Sequence, residues 1–271
     1  MPDRYAVFGH PVRHSKSPRI HALFARQTGQ ALVYGAEDVP PATFESAVRR
    51  FFAEGGKGLN CTVPLKELAF GIATRRSAQA ERSRAVNTLA SLPDGTIFGE
   101  NTDGTGLIRD LTGNLGLALK GRRILLLGAG GAARGILAPL LEADPLRVVI
   151  ANRTPEKAVR LAAEFDGLGP VAGGGFGDLS GERFDLILNA TAASLGGDRP
   201  DLPQGILAEG GCCYDLAYGN EPTAFVRWGR EAGAELSLDG IGMLVEQAAE
   251  SFFLWRGVRP ETRPVIEMLK S

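Results

Sequence analysis

A chain of 271 residues is long enough for two domains, and 44% hydrophobic against 23% charged residues describes an ordinary globular protein. Its 30 Lys and Arg against 31 Asp and Glu leave a net charge of −1, which argues against a basic nucleic-acid-binding surface and against an acidic tail. No apolar run approaches a membrane span, and Met1-Pro2-Asp3-Arg4-Tyr5 enters a strand without the pattern of a signal peptide. A cytoplasmic protein with no membrane or nucleic-acid partner is therefore expected. The three cysteines, Cys61, Cys212 and Cys213, form neither a disulfide set nor a CxxC metal pattern, which fits reduced thiols.

Strand-like and helix-like stretches alternate from the start. Residues 5–8 read as a strand ending at Gly9, and a loop containing Pro11 and Pro18 leads to a helix over 19–28. Residues 31–34 form the next strand, 42–54 the next helix, and 58–63 a third strand ending at Pro64. This is the β-α-β rhythm of an open α/β sheet. A second rhythm opens at Arg123, with strands over 123–127, 147–151, 184–189 and 211–216 and helices over 132–141 and 155–165. The glycine-rich stretch 167–177 reads as a surface loop. Apolar residues at three- and four-residue spacing make 242–257 an amphipathic helix.

The strand at 123–127 feeds directly into Gly128-Ala129-Gly130-Gly131-Ala132-Ala133. Between a strand and a helix, that run suits a dinucleotide pyrophosphate. Gly128 permits the tight turn, Gly130 lets the backbone approach the phosphates, and small Ala133 lets the helix pack close to its strand. After the second strand, where a unit that takes NAD carries an acid, the chain has Asn152-Arg153-Thr154. Arg153 suits the 2′-phosphate of NADP, with Asn152 and Thr154 as donors and Lys157 one helical turn on. The bland alternative is a solvated basic helix start. The turn stands mid-chain, so something else occupies the front half.

There the loop Gly9-His10-Pro11-Val12-Arg13-His14-Ser15-Lys16-Ser17-Pro18 sets two serines before a helix. Ser15 and Ser17 can present hydroxyls to a carboxylate, while Ser17-Pro18 also reads as an N-cap followed by proline at the first helical position. Three more clusters sit at strand ends or turns: Asn60-Cys61-Thr62-Val63-Pro64-Leu65-Lys66, Ala85-Val86-Asn87-Thr88, and Gly99-Glu100-Asn101-Thr102-Asp103-Gly104. Each alone would pass as turn chemistry. Together with Tyr214-Asp215-Leu216-Ala217-Tyr218 and Asp239-Gly240-Ile241-Gly242-Met243-Leu244-Val245-Glu246-Gln247, in this order and over essentially the whole chain, they resemble the shikimate dehydrogenase family.

The resemblance implies an α/β protein of two domains with the active site in the cleft between them. Residues 1–103 with 240–271 would bind substrate, and a Rossmann-type domain over 104–239 would bind NADP. The implied reaction is the reversible reduction of 3-dehydroshikimate to shikimate by NADPH, on the route through chorismate to aromatic amino acids, by a monomer or homodimer. Ser15 and Ser17 would hold the substrate carboxylate, with Tyr218 adding a contact on that side. Asn60, Thr62, Lys66, Asn87, Asp103 and Gln247 would surround the ring hydroxyls and the reacting oxygen. Gly128, Ala129, Gly130, Gly131 and Ala132 would cradle the pyrophosphate. Gly240 and Met243 would lie beside the nicotinamide, with Leu216 lining the same pocket and Thr191 also on the cofactor. These residue types fit the chemistry. Hydride attack on a ketone builds negative charge on oxygen, a protonated lysine stabilises it, and a nearby carboxylate holds the lysine. Which of Lys66 and Asp103 carries the proton stays open at this point.

Five residues at four places depart from the family pattern. His10 stands where Asn is usual and Cys61 where Val is common; Arg84 replaces a glycine; and Ala192-Ala193 follow Asn189-Ala190-Thr191 where a serine is usual. Arg84 either reshapes the loop at Asn87 or points to solvent. His10, His14 and His21 all fall in the first loop and helix without Cys or a close acid, so no metal site is expected. The competing readings are a quinate/shikimate dehydrogenase of broader range using NAD and a catalytically silent NADP-binding regulator. Asn152-Arg153-Thr154 speaks against NAD in the first, and Lys66 with Asp103 speaks against the second.

Overall fold

The computed structural model describes residues 2–191 and 193–270; Ala192, one of the five departing residues, lies outside the described residues, as do Met1 and Ser271. The chain divides into two compact units, residues 1–107 with 244–271 and residues 108–243.

In the first unit, strands β1 (Asp3–Gly9), β2 (Leu32–Asp38), β3 (Gly56–Cys61), β4 (Arg75–Arg76), β5 (Thr88–Ser91) and β6 (Ile97–Glu100) form one sheet in the order β2-β1-β3-β5-β6-β4. Helices α1 (Ser17–Thr28), α2 (Phe44–Ala53), α3 (Lys66–Ile72), α4 (Ala78–Ser83) and α5 (Asp103–Arg109) alternate with the strands. The pairings of β1 with β2 and β3 are parallel, as the β-α-β rhythm predicts. The pairings of β3 with β5 and β5 with β6 are antiparallel, so the sheet is mixed. The β5–β6 hairpin turns at Pro93-Asp94-Gly95, where Gly95 has φ +81° and Asp94 Oδ1 accepts the Thr96 N–H at 2.9 Å. The hairpin sets Thr88 opposite both Asn60 and Glu100, which brings three sequence-distant polar clusters onto neighbouring strands. Beneath them lies a core of Phe8, Phe44, Val48, Phe51, Leu59, Leu65 and Leu89.

In the second unit, β7 (Arg123–Leu127), α6 (Gly131–Glu142), β8 (Arg147–Ala151), α7 (Pro155–Glu164), β9 (Val171–Gly174), β10 (Phe184–Asn189), β11 (Leu207–Asp215), α8 (Ala224–Glu231) and β12 (Leu236–Leu238) follow in turn. The strands form a wholly parallel sheet in the order β12-β11-β10-β7-β8-β9. This is the doubly wound dinucleotide-binding order, with its switch point between β7 and β10. The stretch 167–177 is not simply a surface loop. It contains β9, an edge strand in register with β8 from Val148↔Val171 to Ala151↔Gly174. Its glycines mislead because they serve packing: a Cβ at Gly173 would stand 2.2 Å from the Ala158 carbonyl oxygen of α7.

Helix α9 (Ile241–Arg256) starts in the second unit and ends in the first, followed by α10 (Arg263–Lys270). The expected amphipathic pattern does not hold along it. Val245, Glu246, Ala248, Ala249, Ser251 and Phe252 are all buried, and its exposed residues are the apolar Phe253 and Leu254. Polar residues on this helix bond inward instead of facing water, as Glu246 does to Arg259 at 2.7 Å. No helix among the described residues is long and apolar enough to cross a membrane. Cys61, Cys212 and Cys213 are free and buried, and burial pushes the Cys61 and Cys213 thiols up to about 12.

Candidate active site

Strand β3 ends at Cys61, and a turn closed by the Leu65 N–H on the Thr62 carbonyl (2.8 Å) delivers Lys66 as the first residue of α3. Asp103 opens α5 in a comparable way. Asn101 Oδ1 accepts the Asp103 N–H at 3.1 Å, and Asn101 is itself fixed by donating to Ser83 Oγ and the Ala85 carbonyl. The two side chains meet: Lys66 Nζ lies 2.6 Å from Asp103 Oδ2, with the side chains only 20% and 10% exposed. Asp103 Oδ1 accepts from Asn87 Nδ2 at 2.8 Å, so each carboxylate oxygen has a donor. An ammonium has three N–H donors, and Asp103 engages one of them.

Asn87 is the hub of this cluster. Its Nδ2 also donates to Thr102 Oγ1 (2.9 Å) and Gln247 Oε1 (3.3 Å), and its Oδ1 accepts from Thr88 Oγ1 and the Thr102 N–H, both at 2.9 Å. Asn60 is buried as well, 6% exposed, donating to the Asn87 carbonyl, Thr88 Oγ1 and Ser251 Oγ and accepting from the Tyr34 hydroxyl at 2.7 Å. Ser251, one helical turn after Gln247, shares its hydroxyl with Thr88 (2.8 Å) and donates to the Gln247 carbonyl (3.1 Å). Thus Asn60, Lys66, Asn87, Asp103 and Gln247 do come together. Tyr34, Thr88, Thr102 and Ser251, which hold them, escape sequence reasoning because an inward hydroxyl on a strand or helix reads like any other. Thr88 and Thr102 lie within quoted motifs, but nothing in the pattern marks their side chains as inward.

Thr62 follows β3 and is half-buried. The capping reading of Ser17 is corrected: α1 begins at Ser17 itself, and Lys16 occupies the N-cap without a side-chain cap bond. Ser15 Oγ accepts the Ser17 N–H at 3.3 Å, so the earlier serine takes the local role and the Ser17 hydroxyl turns inward to Tyr34. Arg84 resolves toward solvent. It ends α4 exposed, in the left-handed region at φ +49°, which explains the family's glycine there, and Asn87 keeps its full set of bonds. His10 is exposed and contacts Asp38, and His14 is exposed. His21 is 1% exposed, stacked on Tyr34 with ring centroids 4.1 Å apart, and burial lowers its pKa to about 3. Tyr218 lies in the second unit, after β11, where burial raises its phenol.

The glycine turn of the second unit sits at the switch point. Gly128 has φ +102°, and a Cβ there would stand 3.1 Å from the Ala190 carbonyl oxygen at the end of β10. Nothing lies within 4 Å of where a Cβ would be at Gly130 or Gly131. Protein packing thus explains the glycine at 128 but not those at 130 and 131, which leave the mouth of the turn open. The first turn of α6 has no acidic residue and no side-chain cap, and Ala133 is buried against the sheet while Ala132 is exposed. Such a helix start attracts an anion. At the tip of β8, Asn152 donates to the Thr154 carbonyl at 2.9 Å, and Thr154 makes no capping bond. Arg153 and Lys157 are exposed and have no ion-pair partner among the described residues, unlike Arg134, which is held by Glu164 at 2.6 Å. Unpaired cations beside an open glycine turn fit a dinucleotide carrying an extra phosphate.

Thr191 and Leu216 are fixed by Asn189, which accepts from Thr191 Oγ1 at 2.7 Å and, through its carbonyl, from the Leu216 N–H at 2.9 Å. Behind them Asp215, fully buried, accepts from Asn189, Ser194, Thr223 and the Ala217 N–H. Burial raises the Asp215 carboxyl, and these four donors oppose the rise. Ser194 supplies a hydroxyl just beyond the alanines that depart from the family pattern. Gly240 packs so that a Cβ would stand 2.3 Å from the Leu216 carbonyl oxygen, and the Met243 N–H donates to the Tyr214 hydroxyl at 3.1 Å.

Comparison with known proteins accords with this geometry. Residues 7–89 match the shikimate dehydrogenase substrate binding domain, 111–195 the shikimate / quinate 5-dehydrogenase family and 240–270 the shikimate 5'-dehydrogenase C-terminal domain. The NADP(+) shikimate dehydrogenase of Methylococcus capsulatus is 68% identical over 271 residues, covering all of this chain and 97% of that protein. The chain belongs to the shikimate dehydrogenase family. The corresponding enzyme of Alkalilimnicola ehrlichii is 57% identical over the whole chain and 99% of its own length. The crystal structure of shikimate 5-dehydrogenase from Thermus thermophilus, in complex with NADP(H) and shikimate, superposes with a TM-score of 0.87 at 35% identity, covering 98% of this chain and 97% of that one.

Proposed function

We propose that this chain catalyses the reversible reduction of 3-dehydroshikimate to shikimate with NADPH, on the route through chorismate to the aromatic amino acids. The observation that carries the reading is the Lys66–Asp103 pair, 2.6 Å apart in a chain of this family. The first unit takes the hydroxylated ring acid and the second takes the dinucleotide. When bound, NADPH supplies the hydride. Lys66 acts at the ketone oxygen: its ammonium stabilises the charge that grows as the C=O double bond opens, then gives up the proton that completes the alcohol. In the reverse direction the amine takes that proton back. Asp103 orients the ammonium and accepts a hydrogen bond from a ring hydroxyl.

Ser15 and Ser17, with Tyr218, receive the carboxylate, and Thr62 and Gln247 face the ring. Asn60 and Asn87 are occupied by protein partners, so substrate contact at either exchanges one of those bonds. The α6 N-terminus with residues 128–132 takes the pyrophosphate. Arg153, Lys157, Thr154 and Asn152 take the 2′-phosphate, and Thr191, Leu216, Gly240 and Met243 take the nicotinamide end. The reading carries with it a cytoplasmic enzyme, monomeric or homodimeric, without membrane or nucleic-acid partners.

Initial rates of nicotinamide reduction with shikimate and with quinate, each with NADP+ and with NAD+, test the proposal. Shikimate with NADP+ is expected to be the fastest pair by far. Absence of shikimate-dependent reduction with either cofactor overturns the activity, and equal rates with NAD+ overturn the cofactor assignment.

A further inference from the structure

The first turn of α9 carries Gly240 and Met243 at its edge, and two side chains given no part in the site above, Asp110 and Tyr214, press on it. Tyr214, on β11 and 2% exposed, donates its hydroxyl to Asp110 Oδ2 at 2.7 Å and accepts the Met243 N–H at 3.1 Å. Asp110 is 3% exposed and begins a π-helical turn, Asp110–Asn114, that continues α5. Its other oxygen accepts from Asn114 Nδ2 at 3.0 Å. The carboxylate presses so closely on α9 that a Cβ at Gly242 would stand 2.0 Å from Asp110 Oδ1. All of these residues belong to the second unit.

Two physical effects act together here. A carboxylate at a helix N-terminus is stabilised by the helix dipole. A phenol that donates to that carboxylate turns its lone pair to the third amide of the helix, which fixes the helix start in direction as well as position. A buried acid and phenol cost more than an apolar pair of the same shape unless their direction is used. π-turns are frequent at functional sites. Burial and the nearby Asp110 and Asp239 carboxylates hold the Tyr214 phenol far above its usual range, so it stays a donor.

We propose that Asp110 and Tyr214 are positioning residues for the nicotinamide end of the dinucleotide site: they set the backbone from Gly240 to Met243 without touching the ligand. The inference rests on the dinucleotide reading above. The test compares NADPH with adenosine 2′,5′-bisphosphate, which presents only the adenosine and 2′-phosphate end, binding each by calorimetry to the full chain and to Tyr214→Phe. The substitution is expected to weaken NADPH about tenfold, the effect of losing one buried, directional hydrogen bond. Adenosine 2′,5′-bisphosphate should stay within about twofold, kcat should fall, and KM for shikimate should hold. Asp110→Asn keeps the shape and can still accept from Tyr214, so it should show the same selectivity at smaller size; it is read in place of Tyr214→Phe if that variant does not fold. Unchanged NADPH affinity overturns the inference, and so does equal weakening of both ligands, the signature of a purely structural role. Failure of the unsubstituted chain to bind NADPH would instead overturn the dinucleotide reading.

Discussion

Asn87 in the first unit and Arg153 in the second are both residues of the proposed site, and they stand in opposite conditions. The Asn87 amide is surrounded by Thr88, Thr102, Asp103 and Gln247, with its donors and acceptor all engaged. Arg153 is exposed and pairs with no acid among the described residues, and the nearby Gly130 and Gly131 face open space. The contrast follows the ligands. A small acid with several hydroxyls is told from its isomers by the direction of donors and acceptors, so its site must be rigid beforehand. A polyanion is recognised by charge and room, so its site keeps cations unpaired and leaves out side chains.

The comparison predicts effects of different kinds in the two units. The largest is Lys66→Ala, which should lower kcat by roughly 10²–10⁴-fold, the range for losing an acid–base group, while NADPH binds as before. Steady-state kinetics decide it, and near-normal turnover refutes the role. Next is Arg153→Ala, expected to weaken NADPH by roughly 10–100-fold through loss of a charged hydrogen bond, with NADH little changed. Equal losses for the two dinucleotides would remove Arg153 from the 2′-phosphate. Ser251→Ala takes one hydroxyl from the network under Asn60 and Thr88 and should cost about 1–2 kcal/mol, read as a lowered thermal midpoint. An unchanged midpoint would mean that the network is not preorganised in the way its distances imply. The smallest effect has the opposite sign: Arg84→Gly relieves a left-handed backbone at φ +49° and should add about 0.5–1 kcal/mol without changing kcat.

The second unit was the more legible in sequence. A hydrophobic strand, a glycine turn and a helix are local patterns, and β7, β8 and β10 fall at the expected residues. The exception is β9, where glycines chosen for close packing on α7 look like loop glycines. In the first unit the motifs were visible but their assembly was not. Lys66 and Asp103 meet only because the β5–β6 hairpin folds back beside β3, and that hairpin is announced by nothing more than Pro93-Asp94-Gly95. The spacing in α9 predicts a helix, which forms, with one polar face, which does not, because its inward polar residues have partners elsewhere in the chain, such as Arg259 and Asn60. Asp110 left no trace in the sequence, and although Tyr214 opens the motif at 214–218, nothing there marks its hydroxyl as inward, since a buried polar pair has no periodicity of its own.

The central claim is that one unit holds the substrate by fixed direction and the other holds the dinucleotide by open space. Calorimetric affinities of shikimate and NADPH for Lys66→Ala and Gly130→Ala test it most directly. Gly130 has an ordinary extended backbone (φ −93°) and nothing within 4 Å of its Cβ position, so Gly130→Ala should fold normally. The account predicts a crossed result. Gly130→Ala should keep shikimate affinity and weaken NADPH at least about tenfold, as about 1–3 kcal/mol of overpacking would. Lys66→Ala should keep NADPH affinity and weaken shikimate, since the ammonium that meets the ring oxygen is gone. Equal weakening of both ligands by either variant would contradict it.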